Sequence, residues 1–397
     1  MGLAVPSPTP SIPDWRLNPP PLPAQPTNSN SSTLLFGDAV SRANYWLPDP
    51  PGAGFPELQA FWQRLSTSIT EYRKPKQHPN APHVVYATPA GLLGEGVRSE
   101  DWVRGNGASR QSRSPNWSGA SVHAVDGGTF TQIVGSWTEP QVATSGTFAN
   151  TQEFRSSVWI GFNGHGAYDD AALPQIGTMQ QITAGSSQSK HWVWFEWWAN
   201  SKVCSHGDDR TAFLPFYLEL DVAEGDIVLC NVEILPSDPA NDPPDTPYVA
   251  RMCICVEHLD TATQSVRKVL VMPFIVRPPP VDNRRVQPIG STANWIAELP
   301  TNIDRNNNVD VNNPFLMPRF GTGPAPSNSV TFQNCVAAVA PNPGEPIIAE
   351  RTLEVSRRIN MIGRKHNGAG SVGKIATTLT PRISDTSFSI QVDGNLQ

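Results

Sequence analysis

The chain has 397 residues, long enough for one large domain with appendages or for two domains. Its net charge of -6 and scattered Lys/Arg exclude nucleic acid as an expected partner, and the absence of any run approaching ~18 apolar residues excludes a membrane-spanning helix. A charged share of 16%, 40 prolines and 12 tryptophans suit an all-β body with extended loops behind a solvated leader.

Residues 1–33 are rich in Pro, Ser and Asn and read as a disordered or polyproline-like leader. Residues 34–50 hold aromatic and leucine positions that can dock on another surface. Residues 56–72 carry the strongest helical pattern, expected over 57–72. Leu58, Phe61, Trp62, Leu65 and Ile69 recur at spacings of three and four, and Pro56 fits the first turn. A basic cluster of Arg73, Lys74 and Lys76 follows. Residues 95–115 are polar and Gly/Ser-rich, with Arg98, Arg104, Arg110 and Arg113, and read as an exposed linker open to processing. The first residues lack the basic and apolar regions of a secretory signal.

From residue 116 the texture changes to short alternating runs broken by Gly, Asn, Asp and Pro. The pattern predicts an antiparallel two-sheet sandwich or barrel over 114–340. Residues 158–177 read as two strands joined through an Asn163-Gly164 turn, with Trp159 on one arm and Gln175 on the other. Residues 191–198 are the most aromatic strand. Period two puts Trp192, Trp194, Glu196 and Trp198 on one face and Val193, Phe195 and Trp197 on the other. Near the end of the body, the same rule sends Asn294, Ile296 and Glu298 to one face.

Residues 1–115 hold 10 Lys/Arg against 8 Asp/Glu, residues 116–340 hold 12 against 22, and residues 341–397 hold 7 against 5. An acidic body thus lies between mildly basic flanks. Residues 341–397 are expected as a C-terminal appendage, either extra strands or a small module. The cysteines at 204, 230, 253, 255 and 335 are expected mostly as buried small hydrophobes, with one or two disulfides if the protein is exported. Cys253 and Cys255 are expected on opposite strand faces, which makes them a poor metal clip.

Two polar residues stand out as chemistry. A glutamine offers two donors and an acceptor without charge, which suits Gln175 to an oxyanion. Glu298 sits amid Trp295, Ile296 and Leu299, where burial raises a carboxylic acid's pKa. A series of motifs joins them: Asn116-Trp117-x-Gly119-Ala120, Val158-Trp159-Ile160-Gly161-x-Asn163-Gly164, Leu173-x-Gln175-x-Gly177, Trp194-Phe195-Glu196-Trp197, Glu224-Gly225-Asp226, Glu257-x-Leu259-x-Thr261-x-x-Gln264 and Ala293-x-Trp295-Ile296-x-Glu298. In this order they resemble the glutamic peptidases called eqolisins, family G1, over about residues 114–340.

The resemblance implies a jelly-roll-like, concanavalin-like sandwich and an acid endopeptidase with a glutamine–glutamate dyad. Gln175 and Glu298 match the dyad. Trp159, Trp194 and Glu196 match cleft residues, and Asn163 stands where the family has an aspartate in its cleft. The carboxylate takes a proton from water attacking a peptide carbonyl, the amide stabilises the oxyanion, and the carboxyl then protonates the leaving amine. The chemistry calls for no metal or cofactor. The implied partner is a protein or peptide substrate met by a secreted monomer, and the basic leader (34–113) is then either a propeptide covering an acidic cleft or an unrelated extension with a docking helix. Departures mark a divergent member. Asn294 replaces a second acidic residue, and Phe195 and Trp198 replace tyrosines. Two rival readings stay open: a sugar-binding or sugar-cleaving sandwich using Glu196 and Glu298, and an inactive binding homologue.

Overall fold

The computed structural model describes residues 36–79 and 111–392, apart from residues 115, 125–127, 145–148, 164–171, 200–214, 241, 243–245, 261, 264, 279, 282–283, 286–289, 301–314, 322–328, 364–372 and 379–382. The leader 1–33, most of the linker at 95–115, Gly164 and Cys204 therefore lie outside the described residues.

The principal strands are β1 (Trp117–His123), β2 (Thr129–Thr138), β3 (Glu153–Phe162), β4 (Ala172–Thr183), β5 (Lys190–Ala199), β6 (Ile227–Pro236), β7 (Tyr248–Leu259), β8 (Val266–Val276), β9 (Thr292–Glu298), β10 (Ser329–Ala340), β11 (Arg357–Gly363), β12 (Gly373–Thr378) and β13 (Phe388–Val392). They form two antiparallel layers. The front layer runs from a short strand at Phe216–Leu218 through β5, β4, β3, β9 and β1 to β11. The back layer runs from Glu71–Tyr72 through β8, β7, β6 and β2 to β10. Alternating residues of both layers, among them Ile160, Phe195, Ile254, Phe274 and Trp295, fill the space between them. The fold is the expected all-β sandwich.

Residues 341–397 supply strands to this same architecture. β13 pairs with β10 of the back layer and with β12, and β12 pairs with β11 of the front layer, so the C-terminal strands join the two layers along one side.

The opposite side is bridged by the N-terminal extension. Helix α2 (Pro56–Ser68) lies on the outer face of the back layer, together with Phe36, Tyr45 and Leu47, which flank the short helix α1 (Ala39–Asn44). Leu58, Phe61, Leu65 and Ile69 bury against Cys253, Cys255, Val269 and Val271. Each such side chain contributes about 1.5–3 kcal/mol when fully removed from water. Arg64 clamps Glu257 in a bidentate pair, Nε donating to Oε1 at 3.1 Å and Nη2 to Oε2 at 2.8 Å. The helix stops at Ser68 rather than reaching 72. The hydroxyls of Ser66, Thr67 and Ser68 bond back to the carbonyls of Gln63 and Arg64, and the β-branched Ile69 and Thr70 favour extended chain. Glu71–Tyr72 then pairs in parallel with β8. Further on, His78 N–H donates to the Tyr217 carbonyl at 2.9 Å and Glu219 N–H to that of Lys76 at 2.7 Å. Residues 70–78 thus cross from the back layer's edge to the front layer's edge and occupy backbone groups that an open edge would expose.

Cys230, Cys253, Cys255 and Cys335 are free and buried. Cys253 and Cys255 share the outer face of β7, under α2. This corrects the expectation of opposite faces, since residues two apart on a strand point the same way.

Candidate active site

The front layer's outer face carries the residues singled out from the sequence. Register across the strands sets them in rows. Glu196, Gln175, Gly161 and Asn294 form one row. Trp194, Gly177, Trp159 and Ile296 form the next. Trp192, Met179, Ser157, Glu298 and Trp117 form the third. Residues two apart on a strand share a face, so all three rows point away from the inter-layer core. Trp117, Trp159, Trp192, Trp194, Trp198 and Tyr217 pack there as a separate aromatic cluster.

Glu298 is 3% exposed. The Trp159 indole N–H donates to its Oε2 at 2.8 Å, and the Asn116 amide to its Oε1 at 3.1 Å. Burial pushes its carboxyl up to about 8, against the pull of the Trp159 and Asn116 donors. At neutral pH the group is therefore mostly a neutral acid held in a fixed orientation.

Gln175 is fully buried, and its Nε2 donates to Glu196 Oε2 at 2.6 Å. An acceptor this close sets the N–H end of the amide towards β5. Gln175 and Glu298 share the face, two strands and four residues apart, with Trp159 between them. The structure thus places Glu196 on Gln175 and Trp159 on Glu298. Trp194, 5% exposed, has an indole N–H with no acceptor among the described residues.

Glycine makes this packing possible at two positions. A Cβ on Gly177 would sit 2.1 Å from the Val158 carbonyl and 2.6 Å from Trp159 Cβ. One on Gly161 would sit 2.8 Å from Gln175 Cβ. Gly177→Ala should therefore displace Trp159, lower the melting temperature by several degrees and shift the tryptophan emission, as thermal melts followed by fluorescence would read; overpacking of this kind costs about 1–3 kcal/mol.

Asn163 has a positive φ of 63°, which asparagine tolerates better than most residues. Its Nδ2 donates to the Ala172 carbonyl at 2.6 Å, and its Oδ1 accepts from Ser291 N–H at 3.0 Å. Its own carbonyl accepts from Asn294 Nδ2 at 2.6 Å. Its side chain is spent on tying the end of β3 to the start of β4 and of β9. An ionised aspartate cannot donate to Ala172. Asn163→Asp should cost roughly 1–3 kcal/mol at pH 7 and less below pH 4, where the carboxyl can carry a proton; urea midpoints at the two pH values would check this.

Sequence reasoning did not single out Asn116 as a Glu298 partner, nor Arg155. Arg155 is buried on the same face, bonded to Glu153 at 2.7 Å and stacked over Phe315 at 4.3 Å. Burial lowers its pKa to about 10. Only the alternation around residue 155 could have flagged it.

The model of the Peptidase A4 family matches residues 115–239, which include Asn116, Trp159, Gln175 and Glu196 and end before Glu298. Among solved structures, the aspergilloglutamic peptidase from Aspergillus niger is 16% identical, with 60% of this chain and 99% of that chain covered and a TM-score of 0.32. An alginate lyase from a Chlorella virus is 12% identical, covering 54% of this chain and 98% of that one, with a TM-score of 0.16. No curated protein matches the chain. Over residues 115–239 the chain is thus similar to the Peptidase A4 family, the glutamic peptidases of family G1.

Proposed function

We propose that the chain is an endopeptidase that hydrolyses peptide bonds with Gln175 and Glu298, without a covalent intermediate. The observation that carries this reading is the environment of Glu298. It is a buried carboxyl oriented by two side-chain donors, its pKa raised to about 8, on the sheet face that also presents the Gln175 amide. Ionised Glu298 takes the proton of an attacking water, Gln175 Nε2 donates to the oxyanion, and protonated Glu298 then delivers the proton to the leaving nitrogen. Glu196 holds the Gln175 amide in position. The indole N–H of Trp194 is a donor for a substrate carbonyl. Gln175, Glu196 and Glu298 are buried, so substrate entry displaces part of the aromatic cover. Following the family, the protein acts outside the cell as a monomer.

The raised pKa changes the expected pH dependence. A general base works only in its ionised form, and that fraction falls tenfold per unit below the pKa. A group near 8 is starved of base at pH 3–4, so the optimum lies above the acid range that the family resemblance suggests. Incubating the full chain with a denatured protein from pH 3 to 9, with and without pepstatin, tests the proposal. Pepstatin-insensitive cleavage, lost in Gln175→Ala and Glu298→Gln variants that still fold, is the expected result. Cleavage retained by either folded variant would sink it.

A further inference from the structure

The inward side of β5 carries a second reactive group, on the opposite face of the strand from Glu196. Ser189 lies just before β5, and His191 is its second residue, so both point towards the inter-layer space. Ser189 Oγ is 2.8 Å from His191 Nε2, and His191 Nδ1 is 2.7 Å from Glu139 Oε1. Glu139 is buried beside the end of β2 and collects three more donors. Gln180 Nε2 reaches its Oε1 at 2.7 Å, Thr178 Oγ1 its Oε2 at 2.6 Å, and Trp137 Nε1 the same oxygen at 3.3 Å.

These contacts set the direction of the bonds to Glu139, and with a neutral imidazole they set that to Ser189 as well. With other donors converging on Glu139, the carboxylate acts as acceptor, so His191 donates through Nδ1–H. Its Nε2 is then left as the acceptor for the Ser189 hydroxyl. Nucleophile, base and orienting carboxylate stand in series at hydrogen-bond distance. Burial is graded to match. The Glu139 and His191 side chains are 0% and 5% exposed, while Ser189 is half-buried at the rim. The adjoining loop is ordered by its own bonds, with Gln188 N–H donating to Ser186 Oγ and that hydroxyl donating to the Gln188 carbonyl.

We propose that Ser189, His191 and Glu139 form a second reactive centre, in which Ser189 is a nucleophile towards small activated esters and phosphonyl fluorides. With a fluorophosphonate, Ser189 Oγ bonds to phosphorus, the P–F bond breaks, fluoride leaves with the electron pair, and the hydroxyl proton passes to His191 Nε2. With an ester, Oγ adds to the carbonyl carbon and the alkoxide leaves with the proton from His191. Water then gives a proton to the same nitrogen as its oxygen adds to the acyl carbon, the bond to Oγ breaks, and His191 returns that proton to Ser189 Oγ. Glu139 holds the imidazolium throughout. The centre uses none of the front-face residues.

The test is labelling of the full chain with a fluorophosphonate probe, mapped by peptide mass spectrometry. Ser186 and Ser187, exposed on the same loop, serve as internal controls. Label is expected on Ser189 at least tenfold faster than on either control, lost when the chain is unfolded in denaturant, and reduced at least tenfold in His191→Gln. Ser189→Ala, which removes only a rim hydroxyl, should abolish the label at that peptide. Labelling of Ser189 no faster than its neighbours in the native wild-type chain would overturn the proposal, whatever the His191 variant does to folding. So would equal labelling in a folded His191→Gln protein.

Discussion

Replacing Glu298 by glutamine is expected to remove peptide hydrolysis and, at pH 7–8, to make the protein more stable. The two effects have one cause. The folded state holds the Glu298 carboxyl up to about 8, while in the unfolded chain it returns to about 4.5. The unfolded state therefore sheds a proton that the native state keeps. The sign follows directly. The stability linked to this group is fully present below pH 4.5 and is lost as pH rises from there to about 8, amounting to about 3 kcal/mol at pH 7. Glutamine is close in shape and does not titrate, so the variant escapes this loss. Its carbonyl oxygen can still accept from Trp159 or Asn116, and one of those two bonds is given up at a cost of about 1 kcal/mol. The net expectation is a melting temperature a few degrees above wild type at pH 7–8, and equal to or below it at pH 4. Activity should fall by about three orders of magnitude or more, as for loss of a general acid–base group. Melts at the two pH values and a peptide-cleavage assay give the pair of readings. A variant that is no more stable at pH 8 than wild type would mean Glu298 is already ionised in the fold.

Much of this face was legible in the sequence because it depends on strand alternation. Trp192, Trp194, Glu196 and Trp198 share a side, and so do Asn294, Ile296 and Glu298, as period two requires. What alternation cannot supply is register between strands distant in the chain. The bonds from Asn116 and Trp159 to Glu298 span 182 and 139 residues and exist only once β1, β3 and β9 lie side by side. The same holds for Ser189, His191 and Glu139, where the carboxylate arrives from the end of another strand. Asn163 was readable as a turn residue, but its role in joining three strand ends depends on Ser291 and Ala172 being brought to it. The helix pattern at 56–72 was sound up to Ser68. Beyond it the apolar Ile69 and Tyr72 still fall on the helical face, yet they are buried as extended chain beside β8. Apolar spacing alone does not distinguish the two outcomes over so short a run.

Gln175→Ala is expected to lower kcat by about 100- to 1,000-fold while leaving KM within a few-fold, the pattern of a donor used mainly in the transition state. The comparison with Glu196→Gln separates donation from positioning. In the native protein the Glu196 carboxylate accepts from Gln175 Nε2 at 2.6 Å, which holds the amide with its N–H end towards β5. A carboxylate cannot donate, so the reverse orientation is unfavourable. A glutamine at 196 can donate as well as accept, and the Gln175 amide then has two orientations of similar energy. Only one of them presents the N–H group to an oxyanion. Glu196→Gln should therefore lose less than Gln175→Ala, roughly two- to tenfold in kcat, and should retain the pH profile set by Glu298. If Glu196 is instead the general base in contact with Gln175, its replacement will cost as much as that of Glu298 and will remove the rising limb of the profile. Steady-state kinetics of the three single variants from pH 4 to 9, with folding checked by circular dichroism, decides between the two carboxylates. Equal activity of wild type and Gln175→Ala would remove the amide from the mechanism altogether.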